Sequence, residues 1–162
     1  MLENFSVRHD LHPGDLGRII ALHGAGYDAL PGYGLRFEAY VARTVAEYVL
    51  DAGQNGRIWL AERNGELLGC AAMILRDGER GQLRWVLVDP AARGVGLGKT
   101  LVKRALDYAR RQGCSQVFLE TTDGLTESQQ LYEALGFKVV SNIREELWDG
   151  VRPLIHMELA LK

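Results

Sequence analysis

The segment Val88-Asp89-Pro90-Ala91-Ala92-Arg93-Gly94-Val95-Gly96-Leu97-Gly98-Lys99-Thr100 constrains this chain more tightly than any other stretch. It follows a strand pattern over residues 82–88 that Asp89-Pro90 closes, and it leads into a helical pattern over about 98–111 that stops at Gly113. A strand that turns this quickly into a helix leaves the first helical N–H groups without acceptors, at the positive end of the helix dipole. Glycines 94, 96 and 98 let a ligand approach that backbone, and Arg93 and Lys99 add positive charge. The junction therefore reads as an anion site running from Gly94 through Val95, Gly96, Leu97 and Gly98 to Lys99. A glycine-rich helix start without a ligand is the plainer alternative.

Two familiar phosphate loops fit poorly. The ending Gly98-Lys99-Thr100 resembles G-x-x-x-x-G-K-[ST], but that pattern needs glycine where Arg93 stands. The dinucleotide fingerprint G-x-G-x-x-G fails because the glycines here are spaced G-x-G-x-G. A third pattern, R/Q-x-x-G-x-G/A, is met by Arg93, Gly96 and Gly98.

The rest of the chain supplies a frame for this junction. Residues 5–9 read as extended, and after Pro13-Gly14 the residues Leu16, Ile19, Ile20 and His23 recur at the spacing of one buried helical face. Gly24, Gly26, Pro31, Gly32 and Gly34 read as breaks, followed by a second helix over about 35–51 with Gly53 beyond it. Strands over 58–63 and 67–75 flank Asn64-Gly65, a strong hairpin signal, and Asp77-Gly78 turns the chain into 82–88. Residues 117–121 read as a buried strand, 126–135 as a helix stopped by Gly136, and 138–142 and 154–161 as closing strands. An antiparallel meander joined to a strand–helix–strand unit implies one α/β domain over residues 1–162. Its central sheet should hold six to seven strands, mixed but mostly antiparallel, with helices on both faces. The final strand, if it lies at an edge, could pair across a two-fold axis to make a homodimer.

Composition narrows the partners. A net charge of −2 gives no general attraction to nucleic acid or acidic membranes. Cys70 and Cys114 have no companions at metal-ligand spacing, so they read as reduced and structural, and no metal is expected. No secretory signal opens the chain and no stretch approaches the roughly 18 apolar residues of a membrane span, so a cytoplasmic protein is expected.

With R-x-x-G-x-G at Arg93, Gly96 and Gly98, and Leu131-Tyr132-Glu133-Ala134-Leu135-Gly136-Phe137 similar to LYE-x-x-GF, the chain resembles the GNAT superfamily of N-acetyltransferases. The resemblance runs from His12-Pro13-Gly14-Asp15-Leu16-Gly17 to the last strand. Leu83 to Gly94 looks like the acetyltransferase half of fusions with a MarR-type regulator; these residues hold no such regulator half, and DNA binding is not expected to carry over. The resemblance implies acetyl-CoA as co-substrate, its diphosphate on the glycine-rich turn, and direct transfer to an amine without an acyl-enzyme. It also implies that the backbone around Leu87 and Val88, splayed from the next strand, binds the pantetheine arm and polarises the thioester carbonyl. Tyr132 matches the family's tyrosine that faces the departing sulfur; packing on the core side of its helix is the competing role.

The base is open. Gln82 occupies a position where some members carry glutamate, Asp89 reads as a local cap, and Glu62, Glu120, His23 or a water chain remain. An α-amine with pKa near 8 costs about 1.4 kcal/mol to deprotonate at pH 7, against about 4.6 for a lysine near 10.4, so the lack of an obvious base leans towards an α-amine. Period-two alternation puts Gln82, Arg84 and Val86 on one face and Leu83, Trp85 and Leu87 on the other. Arg84 would then grip an acceptor carboxylate or form a structural salt bridge. Tyr33 and Phe37 either line the acceptor pocket or belong to the core. A small amino acid, dipeptide or related amine is the expected acceptor, and a non-catalytic acetyl-CoA sensor is the alternative to an enzyme.

Overall fold

Apolar residues on both sides of most strands, as in Ile58-Trp59-Leu60-Ala61, require a sheet covered on both faces, and the chain builds one. The computed structural model describes residues 4–27, 30, 32–52 and 55–161. Its elements are β1 (Ser6–Arg8), α1 (Asp15–Tyr27), α2 (Leu35–Glu47) continued by a π-turn (Tyr48–Ala52), β2 (Gly56–Arg63), β3 (Glu66–Arg76), β4 (Arg80–Val88), α3 (Leu97–Arg111), β5 (Gln116–Thr121), α4 (Thr126–Ala134), β6 (Lys138–Glu146) and β7 (Val151–Ala160). The seven strands form one sheet in the order β1-β2-β3-β4-β5-β7-β6, in which only the β4–β5 pair is parallel. One core joins α3 and Tyr132 of α4 to Trp59, Ala71, Met73 and Leu83; the other joins α1 and α2 to Ile58, Leu60, Cys70 and Trp85. The expected mixed, mostly antiparallel sheet with helices on both faces is what forms.

Four local expectations need correction. Gly24 and Gly26 do not break α1, which continues to Tyr27. A Cβ at Gly26 would lie 3.1 Å from Leu87 Cδ2, so the glycine lets α1 lie close against β4. The closing hairpin is longer than its apolar core suggests: β6 runs to Glu146 and β7 starts at Val151, with Arg144 opposite Pro153. There β7 has passed the end of β5, so one of its sides is unpaired and proline is tolerated. The final strand is also interior, between β5 and β6, which leaves charged β6 and short β1 as the sheet edges. Lastly, alternation fails on β4. Register slips between Cys70 and Ala72, which oppose Leu87 and Arg84, so Trp85 and Val86 together face Ala71 in a bulge where Trp85 has φ 48°. Trp85 thereby joins Arg84 on the α1–α2 side, and Val86 turns to the α3 side. The expected breaks at Pro31 and Gly53 lie outside the described residues.

An ion-pair cluster ties β1, α1 and β2. Arg8 grips Asp15 through two 2.8 Å bonds and Glu62 through a third of 2.7 Å, and the His12 amide also donates to Asp15. With its side chain only 4% exposed, Asp15 is held by the Arg8 hydrogen bonds at a pKa of about 2. A carboxyl depressed on folding stabilises the fold above the ordinary carboxylate range, and that contribution is lost as pH falls through about 2. Urea unfolding should therefore show a loss of about 2 kcal/mol between pH 5 and 2 that Asp15→Asn lacks. Equal acid sensitivity in both proteins would contradict the assignment.

Candidate active site

The parallel pairing of β4 with β5 covers only Arg80, Gly81 and Gln82, opposite Gln116, Val117 and Phe118. Beyond Gln82 the bulge at Trp85 bends β4 away, so its backbone from Leu83 to Val88 has no partner on the β5 side. The two strands open into a wedge with α4 beneath its mouth.

A crevice of about 470 Å³ follows this wedge. Val86, Leu87 and Val88 form one wall, Arg93, Gly94, Gly96, Leu97, Gly98 and Lys99 the floor, and Leu125, Ser128 and Leu131 the other wall. The turn is built as the sequence suggests: Asp89 Oδ1 accepts from the Ala91 amide at 2.8 Å, and Gly94 and Gly96 have φ of 87° and 81°. After Arg93 the next amide with a protein acceptor is that of Thr100, which donates to the Gly96 carbonyl. Among the described residues, the amides of Gly94, Val95, Gly96, Leu97, Gly98 and Lys99 are thus free to receive an anion. Val95 packs its side chain onto the α3-side core, so only its amide is offered. Arg93 is exposed and its Nε donates to the Val88 carbonyl at 3.3 Å, leaving the rest of its guanidinium at the rim.

A second cavity, about 290 Å³, opens on the α1–α2 side and shares Tyr27, Val86, Leu125 and Ser128 with the crevice. Tyr132, Arg84, Tyr33 and Phe37 all line it. Arg84 donates from Nη2 to the Tyr40 hydroxyl at 3.0 Å, lies over the Trp85 ring, and has no carboxylate within ion-pairing distance among the described residues. The structural salt bridge is therefore absent. Tyr33 and Phe37 are both core and lining, packed edge to face at 5.0 Å. Tyr132 is 6% exposed, and burial raises the pKa of its hydroxyl well above the ordinary tyrosine value.

The base candidates separate. Glu62 is held by Arg8 and Arg18, away from both cavities. His23 lines the second cavity, but burial lowers its pKa to about 4, and its Nδ1 bonds the Ile19 carbonyl, which makes it a weak base. Gln82 Oε1 accepts two bonds from Arg76. Glu120 lines the cavity and has no hydrogen-bond or ion-pair partner among the described residues. Sequence reading missed Tyr27, concealed by the supposed break at Gly24, and Trp148. Trp148 carried no local signal beyond its place before the turn pair Asp149-Gly150.

Fold and site together define a protein with a splayed strand, a free anion-binding turn and an adjoining small-molecule cavity. Residues 28–137 match the acetyltransferase (GNAT) family, and the chain belongs to that family. It is similar to glucosamine 6-phosphate N-acetyltransferase 1 of Oryza sativa subsp. japonica, at 33% identity over 141 residues, 86% of this chain and 81% of that protein. Human N-acetyltransferase 8B is 34% identical over 96 residues, 56% of this chain, and the match spans only 42% of the human protein's length. The solved structure of a GCN5-related N-acetyltransferase from Kribbella flavida aligns with a TM-score of 0.79 at 25% identity, covering 99% of this chain and all of that one. Among the described residues, no helix is long and apolar enough to cross a membrane.

Proposed function

We propose that this chain, as one domain, transfers the acetyl group of acetyl-CoA directly to the primary amine of a small carboxylate-bearing molecule. The observation that carries the reading is the run of free amides from Gly94 to Lys99 at the foot of an unpaired strand, in a crevice that opens into a second cavity. The turn would hold the diphosphate, assisted by Arg93 and Lys99, and the β4 backbone near Leu87 and Val88 would pair with the pantetheine arm. An N–H of that strand would polarise the thioester carbonyl as negative charge develops on its oxygen.

The amine nitrogen attacks the carbonyl carbon, forming the C–N bond; the C–S bond then breaks with its electron pair passing to sulfur. Tyr132 donates a hydrogen bond to that sulfur, the proton lost by the nitrogen leaves through Glu120 or water, and the thiolate takes up a proton from solvent. Gln82 is an amide and no base, and His23 is a weak one, which leaves Glu120 or water to take the amine's proton. Arg84 would orient the acceptor by its carboxylate. Arg84→Ala is expected to raise KM roughly tenfold to a hundredfold for carboxylate-bearing amines, with little change for amines lacking one. Equal loss with both kinds of amine would remove Arg84 from acceptor recognition.

The engagement of Gln82 by Arg76, where some family members carry glutamate, favours one second reading, a module that binds acetyl-CoA without turnover. Acetyl-CoA consumption across an amine panel, measured beside direct CoA binding, separates the two. Tight binding without turnover on any amine would establish the sensor.

A further inference from the structure

We infer, resting on the reading above, that the acceptor is a single free α-amino acid with a large apolar or aromatic side chain. The cavity's volume, about 290 Å³, lies at the small end of ligand sites and suits one amino acid rather than a peptide. Its charged lining, among the described residues, is Arg84 on β4 and Glu120 on β5. Continuing the register that pairs Gln82 with Phe118 would set these two side by side, but the strands have parted by then and they make no ion pair. They flank the wedge as a cation and an anion held apart. That spacing of opposite charges is complementary to a zwitterion, carboxylate towards Arg84 and ammonium towards Glu120, whose carboxylate takes the proton the ammonium must lose before its nitrogen can attack.

The remaining wall fixes the side chain. Trp148 reaches in from the β6–β7 turn and packs on Phe37 at 4.8 Å, Tyr33 at 5.3 Å and Tyr40 at 5.8 Å between ring centroids. Arg36 Nε donates to the Trp148 carbonyl at 2.8 Å, tying the turn to α2. A wall of packed rings on two anchored elements is preorganised for an apolar body, and Arg84 beside it disfavours a second positive charge. A sugar phosphate, the acceptor named for the rice relative, would bring a dianion and several hydroxyls to a lining with one fixed cation and mostly carbon surface.

The test is kcat/KM for free L-phenylalanine, L-tryptophan, L-leucine, L-alanine and L-aspartate, with phenethylamine and glucosamine 6-phosphate alongside. The three large apolar amino acids should exceed alanine roughly tenfold to a hundredfold, and aspartate by more. Trp148→Ala, at a half-buried site, should cost phenylalanine about tenfold more than it costs alanine, with Phe37→Leu giving a smaller loss of the same selectivity. A flat profile across amino acids, or an equal loss for phenylalanine and alanine in Trp148→Ala, overturns the inference and leaves the proposed function standing. Phenethylamine or glucosamine 6-phosphate outperforming every amino acid overturns the carboxylate-bearing acceptor and the inference together.

Discussion

Tyr132→Phe is expected to lower kcat about a hundredfold while KM for acetyl-CoA stays within about twofold. The residue is buried on the face of α4 that lines the second cavity, and Ser128 and Leu131 of the same helix reach the crevice. Burial raises its pKa, so the phenol keeps its proton and serves as a hydrogen-bond donor to developing negative charge, while full proton transfer to a thiolate becomes less favourable. The ring also makes an edge contact with Phe137 at 5.9 Å, which phenylalanine retains, so folding should be nearly unaffected. On the proposed role, the variant loses a hydrogen bond to the departing sulfur, whose negative charge is absent from the ground state. A loss confined to kcat is the signature of an interaction made only in the transition state. A rise in KM for acetyl-CoA with kcat intact would instead make Tyr132 part of the binding wall. Unchanged kinetics would reduce it to core packing.

Which parts of this site were legible in the sequence follows from how local their causes are. The glycine-rich turn was readable because its residues act where they stand: Asp89 caps its own turn, and Gly94 and Gly96 take left-handed conformations that any neighbourhood would require of them. The hairpin at Asn64-Gly65 was readable for the same reason, with both residues at positive φ. The helix through Gly24 and Gly26 was not, because those glycines answer to tertiary neighbours, Glu38 and Leu87, that only the fold brings near. Nor was the face of Trp85. Its swap to the α1–α2 side depends on one extra residue in β4 relative to β3, a register property of two strands that neither carries alone. That same bulge parts β4 from β5 and creates the wedge, so the least legible feature is the one that opens the site. Trp148 belongs to this class as well, since its ring contacts come from α2 and from Tyr33 just before it, more than 100 positions earlier in the chain, as the Arg36–Trp148 bond shows.

Gly96→Asp should raise KM for acetyl-CoA about a hundredfold while lowering the melting temperature by only a few degrees. Gly96 precedes the first residue of α3 at φ 81° and ψ 13°, and a side chain built there meets no atom within 4 Å. Aspartate is among the few L-residues that tolerate this left-handed region, and a carboxylate at a helix N-terminus is favourable, so the helix should lose at most about 1 kcal/mol. The free amides that follow would then face the protein's own carboxylate instead of a ligand. Two unit charges about 5 Å apart at an effective dielectric of about 20 repel by roughly 3 kcal/mol, which is the origin of the hundredfold figure. Because the repulsion is electrostatic and the site is open, the defect should shrink as salt is raised. Gly96→Asn, equal in shape and neutral, separates charge from crowding and should show a loss about tenfold smaller. Equal defects in the two variants would make the turn a steric wall rather than an anion site. No defect in either would place the diphosphate elsewhere, and with it the direction from which the thioester enters the wedge.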